Sequence, residues 1–275
     1  MSSASSFNLV SPFANKNLHW IDMHAHLDKL EEGPEQALQK AMAQGVARIV
    51  TIGTEPADHP VVLSIAKKYY PKVFCTLGVH PHEGGIYTSE AGEFIAQNLH
   101  HPYVIAVGEI GLDYYYKHSD QKSQLEAFEA QLEIAKKHHM PVEIHTRDAE
   151  ADTVEMLKRF KGDVTGLIHC FTGSAWLAKE CLDLGFNISI SGVVTFKNAS
   201  DLRNTVEKIV PLDRLHIETD SPFLAPIPHR GHPNTPAFVV HTAEVVAQLK
   251  QVSLEQLCEQ TKLNAEKLFP KLVQA

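Results

Sequence analysis

The chain reads as a single α/β domain built as a (β/α)8 TIM barrel. Three observations carry that reading. Eight short runs rich in Val, Ile and aromatic residues recur, one roughly every 25–35 residues along the 275. Amphipathic stretches of helical period fill the intervals. Six side chains able to bind metal stand at the carboxyl ends of five of the runs, and in such a barrel those ends converge on one point.

The runs are LHWID, VARIVTIG, VFCTLGVH, YVIAVGEI, PVEIH, VTGLIHC, FNISISG and RLHIETD, each with a polar residue or glycine at or next to its end. Between the fourth and fifth, Leu125, Phe128, Leu132 and Ala135 fall at i, i+3, i+7 and i+10 and form one apolar stripe. Val239, Ala243, Val246 and Leu249 repeat the pattern. Leu254, Leu257 and the segment NAEKLF predict one further helix closing the barrel. Gly45 and Gly185 follow helical stretches, where a left-handed cap is wanted. The run KKHH at 136–139 ends a helix, where cations meet the negative end of the dipole. A doubly wound open sheet would place a Gly-rich phosphate turn after the first strand. Here two histidines occupy that place.

Composition narrows the class. At 44% hydrophobic and 21% charged, the chain has the make-up of an ordinary globular protein. No apolar stretch is long enough to span a bilayer. Residues 1–18 are rich in Ser and Asn and are expected to be a flexible lead-in to a domain over 19–275. They lack a basic start before an apolar core and contain no Arg, so neither a secretory nor a transit peptide is expected. The four cysteines, Cys75, Cys170, Cys181 and Cys258, form no CxxC pair and are expected to be reduced thiols of a cytoplasmic protein. Cys170 follows His169 on a run, so alternation predicts that it points away from the ligand face. The net charge of −8 lacks the basic stripe of a protein that coats duplex DNA. It permits an enzyme that grips a short nucleic-acid end.

The six metal-capable residues are His24 and His26 in IDMHAHLD, Glu109 in VGEIGLDYY, His145 in PVEIHTRDA, His169 in GLIHCFTGS and Asp220 in HIETDSPFLAP. Each alone has an ordinary reading: a core histidine, a salt-bridged glutamate, a helix-capping aspartate. Two features weigh against those readings. His24 and His26 are two apart, which puts both rings on one face of a strand. Asp220 precedes Ser221-Pro222 and a Pro-rich loop rather than a helix. Asp22 shares the parity of the two histidines and is expected to orient one of them. Four imidazoles and two carboxylates suit divalent zinc, manganese, cobalt or nickel, or a mixed pair, and a carboxylate can bridge two ions. Polar groups are expected on the rim: His80 ending the third strand, Arg147 after His145, Lys197 after the seventh strand, and His229 and Arg230 after the eighth. Loops after the last two strands often hold phosphate in such barrels.

The segments DMHAHLD, GVHPHE, VGEIGLDYY, IHTRDA, IHCFTGS, SGVVTFKNA, ETDSPFLAPIPHRG and NAEKLF resemble, in order, the motifs of the TatD family of metal-dependent hydrolases, within the amidohydrolase-like superfamily. The likeness runs from about Trp20 to Phe269. The resemblance implies that His24, His26 and Asp220 hold one metal ion, His145 and His169 a second, and that Glu109 bridges them. It also implies exonucleolytic DNase activity, with DNA, as a single strand or an end, for substrate. Position 232 is His where the family commonly carries a basic residue.

The reading that follows is a two-metal phosphodiesterase. Two divalent ions (Mg, Mn, Zn, Co or Ni) would supply an activated water, and Asp220 would shuttle its proton. Glu109 completes the catalytic pair. His80, Arg147, Lys197 and Arg230 would contact the substrate, the three cations gripping phosphate. Two rivals stand beside it. A hydrolase of carboxylic esters or amides, such as an aminoacyl ester on RNA, could use the same water. A metal-stabilised binding module would show no turnover, but structural zinc sites are usually closed and four-coordinate.

Overall fold

The computed structural model describes residues 18–273. Of the expected lead-in over residues 1–18, residues 1–17 lie outside them and Leu18 packs against the core. Eight strands pair in chain order, all parallel: β1 (Trp20–Ala25), β2 (Val46–Ile52), β3 (Val73–Leu77), β4 (Val104–Asp113), β5 (Val142–Arg147), β6 (Gly166–Ile168), β7 (Asn187–Ile190) and β8 (Leu215–Ile217). The sheet nearly closes on itself. Beyond the strand ends, Ala25 bridges Ser221, the His26 amide donates to Ser221 O at 2.7 Å, and the Asp220 amide donates to His24 O at 2.9 Å.

Parallel neighbours need crossovers. Helices supply them: α1 (Gly33–Ala43), α2 (His59–Tyr69), α3 (Ser89–Asn98), α4 (Gln121–His138), α5 (Glu150–Arg159), α6 (Ala175–Asp183) and α7 (Ser200–Lys208), followed after the barrel by α8 (Val239–Lys250) and α9 (Leu254–Leu268). Helices outside and packed side chains inside bury both faces of the sheet, and every residue of β3 and β4 is buried. On α4 the apolar stripe packs as its period predicts, with Phe128, Leu132 and Ala135 buried and Leu125 partly so. Its first turn is capped by Asp120, which accepts from the Ser123 amide, and His139 ends it in a left-handed conformation. Gly45 and Gly185 also take positive φ at the ends of α1 and α6. The helix expected near the carboxyl terminus is α9, opened by a Ser253–Gln256 capping box and packed on β1 and β8. None of the described helices is long and apolar enough to cross a membrane.

Strand lengths differ from the sequence-based expectation, and the differences shape the site. β4 does not end at Glu109 but runs four residues further, to Asp113. Two glycines allow it. Gly111 has φ +138°, and a Cβ there would lie 2.0 Å from His145 O on β5. A Cβ on Gly108 would lie 2.7 Å from that of Glu143. In contrast, β3, β6 and β8 stop short, so His80, His169 and Asp220 stand on the loops just beyond them. Cys170 is the correction that follows. Its backbone has φ +41°, so strand alternation no longer applies. Cys170 is among the residues that line the cleft, and its thiol lies 3.1 Å from Ser191 Oγ.

Candidate metal centre and its cleft

The carboxyl ends of the strands surround a cleft of about 760 Å³, with His26, Glu109, His145, His169 and Asp220 at its base. His24 lies directly beneath them, fully buried.

Glu109 sits between two groups of imidazoles. Its Oε2 lies 3.7 Å from His24 Nε2. The same His24 nitrogen is 3.3 Å from His26 Nε2 and 3.6 Å from Asp220 Oδ1, which is itself 3.5 Å from His26 Nε2. The other oxygen, Oε1, lies 2.8 Å from His169 Nε2, 3.0 Å from His145 Nδ1 and 3.4 Å from His80 Nε2. All six predicted ligands therefore converge, in two sets that share one carboxylate.

Buried carboxylates hold the rings from behind. Glu143 Oε1 meets His24 Nδ1, and Glu218 Oε1 meets His169 Nδ1 at 3.1 Å while also accepting from the Cys170 amide at 2.7 Å. Asp113 binds both His145 Nε2 (3.1 Å) and His82 Nε2 (3.0 Å) through Oδ2. His24, Glu143, His169 and Glu218 form a tight buried group of their own, with the two rings stacked 3.9 Å apart. In that group the carboxylates meet the Nδ1 atoms, leaving both Nε2 atoms aimed at Glu109. It is the orienting layer beneath the site, a recurrent arrangement behind metal-binding histidines.

The electrostatics suit a cation. Burial penalises the Glu109 carboxylate, but the imidazoles of His169 and His80 outweigh it and hold the carboxyl well below the usual range. Burial likewise disfavours a charged His169, yet Glu109 and Glu218 on its two sides raise its pKa well above the ordinary value. These carboxylates thus favour positive charge between them. Burial, with His169 next in effect, keeps His24 well below the normal imidazole range. His26 Nδ1 is buried with no hydrogen-bond partner. Imidazoles around a shared carboxylate fit zinc, manganese, cobalt or nickel.

The rim residues are not equivalent. His80, expected as a substrate contact, sits deeper, against Glu109, where burial lowers its pKa to about 4. Arg147 lines the cleft with its guanidinium over the rings of Tyr115 and Tyr116, 4.0 and 4.8 Å from their centres. Arg230 stacks 3.8 Å over Phe196, a cleft residue, and Lys197 is exposed outside the cleft lining. Asp22 does not orient a histidine ring. Its carboxylate accepts from the Thr219 amide (2.8 Å) and hydroxyl (2.6 Å), tying β1 to the segment after β8. Sequence reasoning missed Glu143, Glu218, Asp113 and His82. The first two carry the signal that marked Glu109, a carboxylate within an apolar run, each two residues before a predicted ligand.

A parallel barrel with convergent imidazoles and carboxylates in a cleft at its carboxyl ends defines a class, the metal-dependent hydrolases. Residues 21–270 match the family described as TatD related DNase, and the chain belongs to that family. It is 40% identical over 254 residues to the uncharacterized metal-dependent hydrolase YabD of Bacillus subtilis, covering 90% of this chain and 98% of that one. It is 41% identical over 256 residues to the uncharacterized metal-dependent hydrolase YcfH of Escherichia coli K12, covering 90% and 95%. The crystal structure of YJJV, a TatD homolog from Escherichia coli K12, superposes with a TM-score of 0.85 at 29% identity, covering 91% of this chain and 98% of that one.

Proposed function

We propose that this metal-dependent hydrolase works with two divalent ions and cleaves phosphodiester bonds at an end of DNA. The observation that carries the proposal is the division of Glu109, whose two carboxylate oxygens face separate imidazole sets. His24, His26 and Asp220 would hold one ion, His145 and His169 the other, with Glu109 shared and His80 close to the second. Bound there, divalent ions supply a water acidified to near-neutral pKa and polarise the oxygen under attack. The chain does the rest. Asp220, with its side chain 13% exposed, opens towards the cleft and would accept the proton of the attacking water. Glu143, Glu218 and Asp113 fix the ring orientations that define the site. Arg147, at the cleft wall, and Arg230, on Phe196, would grip the phosphates as planar donors, with the exposed Lys197 as a weaker partner. The four free cysteines fit a reducing compartment such as the cytoplasm.

The test is removal of metal by a chelator, then restoration with Mn²⁺, Co²⁺, Zn²⁺ or Mg²⁺, using end-labelled single-stranded DNA beside a panel of carboxylic esters and amides. Shortening of DNA that depends on restored metal supports the reading. Full activity in metal-free protein would overturn metal dependence. Turnover of esters or amides alone would replace the phosphodiester.

A further inference from the structure

A second group of histidines lies apart from the metal-capable centre. None of His229, His232 and His241 lines the cleft. His241 stands on the first turn of α8 and is buried. His229 and His232 belong to the loop after β8. There the His232 amide donates to His229 O at 3.1 Å and closes a turn around Arg230 and Gly231. The first and last residues of such a turn have Cα atoms within about 7 Å of each other, so both side chains can reach one ion.

Two of these imidazoles meet nitrogen to nitrogen. His229 Nε2 lies 3.0 Å from His241 Nε2. The His229 ring is held in place by Phe238, stacked 3.8 Å away and 3° from parallel. Glu244 follows His241 by one helical turn and faces its other side, with Oε2 3.6 Å from Nδ1. Both of those atoms are buried with no hydrogen-bond partner among the described residues. A carboxylate facing Nδ1 favours the tautomer protonated there, which turns the Nε2 lone pair of His241 towards His229. Burial first, then the neighbouring His241 and His232, lowers the His229 pKa, so the three rings stand close enough to interact.

We infer that His229, His232 and His241 form an additional divalent-metal site of the zinc type, which pins the loop after β8 to α8, with Glu244 orienting His241 from behind. Two nitrogens bound to one zinc at about 2.0–2.1 Å in tetrahedral geometry stand about 3.3 Å apart. The two Nε2 atoms are therefore nearly at ligand spacing already. An all-imidazole set suits zinc, nickel or copper, whereas magnesium demands oxygen ligands. Three ligands leave a fourth position for water. The pinned turn carries Arg230 between two of the ligands, so the ion would fix the backbone of a residue that stacks on the cleft residue Phe196. This site stands independently of the phosphodiester reading.

The test counts Zn²⁺ bound per chain. Metal-stripped wild type, His241→Gln, His232→Ala, Glu244→Gln and Glu109→Ala are titrated with Zn²⁺ against a chromophoric chelator. His241→Gln should bind one equivalent fewer than the wild type. His232→Ala should weaken that same equivalent, and the exposure of this position leaves core packing untouched. Glu244→Gln should weaken it by about 10–100-fold. The equivalent should persist in Glu109→Ala, which depletes the centre, and excess Mg²⁺ should not displace it. Wild-type stoichiometry and affinity in both His241→Gln and His232→Ala would mean that the rings share a proton and no ion, and would overturn the inference. Loss of the equivalent in Glu109→Ala would also overturn it, by assigning that ion to the centre.

Discussion

Glu143 Oε1 stands 2.5 Å from Nδ1 of His24, on the far side of the ring from Glu109 and Asp220. The ring is fully buried, so this contact fixes which nitrogen is turned towards the cleft. Removing such a partner typically costs about 10–100-fold in metal affinity. Glu143→Ala should weaken metal binding by that factor, read by competition with a chromophoric chelator. Glu143→Gln, which keeps one hydrogen bond, should lose less. An Ala variant with wild-type affinity would remove Glu143 from the account.

Sharing of Glu109 has a stoichiometric signature. Glu109→Ala should lower occupancy of both proposed metal positions, because each of its oxygens serves one set of ligands. His145→Ala should empty mainly one. Elemental analysis after dialysis distinguishes the two. A Glu109→Ala protein that keeps two tightly bound ions refutes the bridge.

Arg147→Ala should raise KM for DNA and flatten its dependence on salt, with metal content unchanged. Removing one cation that neutralises a phosphate of a single strand lowers the slope of log affinity against log salt by about 0.7. Arg230→Ala should act likewise. Lys197→Ala should do least, since its side chain lies outside the cleft lining. If no one of the three changes KM, a carboxylic ester or amide becomes the better substrate class.

Gly111→Ala tests the close approach of β4 to β5. A Cβ would meet His145 O at 2.0 Å, on a backbone with φ +138°. The strain should cost roughly 3 kcal/mol, or ~6–12 °C in Tm for a domain of this size. A melting temperature unchanged in a thermal scan would contradict the packing described.

His216 sets a pH dependence of stability away from the site. It is fully buried, with Nε2 2.8 Å from the Asn187 amide nitrogen, and burial pushes its pKa down to about 3. The folded protein therefore resists protonating it, while the unfolded chain takes the proton near pH 6.5. The stability this group contributes is present above that pH and is lost as pH falls from there towards 3. At pH 5 the loss amounts to ~2 kcal/mol, at about 1.4 kcal/mol per pH unit. Denaturant titrations at pH 7 and pH 5 should show His216→Gln gaining that much relative to the wild type, and parallel behaviour would refute the assignment.

Much of this was legible in order along the chain. The eight runs became eight strands, because parallel strands buried on both faces read as apolar segments. The stripe on α4 marked its buried face through the 3.6-residue period, whereas α8 is buried on every side from Val239 to Ala247. All six metal-capable residues meet at one place. Cys170 and Asp22 depart from expectation for two separate reasons. For Cys170, alternation does not extend past the end of β6 into the loop; for Asp22, the partner is Thr219 beyond β8 and not a histidine ring on its own strand.

The one-dimensional pattern established the barrel, its polarity and the kinds of atoms at its mouth. Those follow from local backbone preference and from the rule that polar groups in an apolar run need a partner. Tertiary structure alone decided which oxygen of Glu109 faces which imidazoles, that Glu143 and Glu218 stand behind the rings, and that Asp113 joins His145 to Tyr115 and Tyr116. Side-chain alternation sets the face on which a residue stands. Contacts across strands depend instead on register, and that register is settled by the seven strand pairings together with glycine-permitted approaches such as Gly111 to His145.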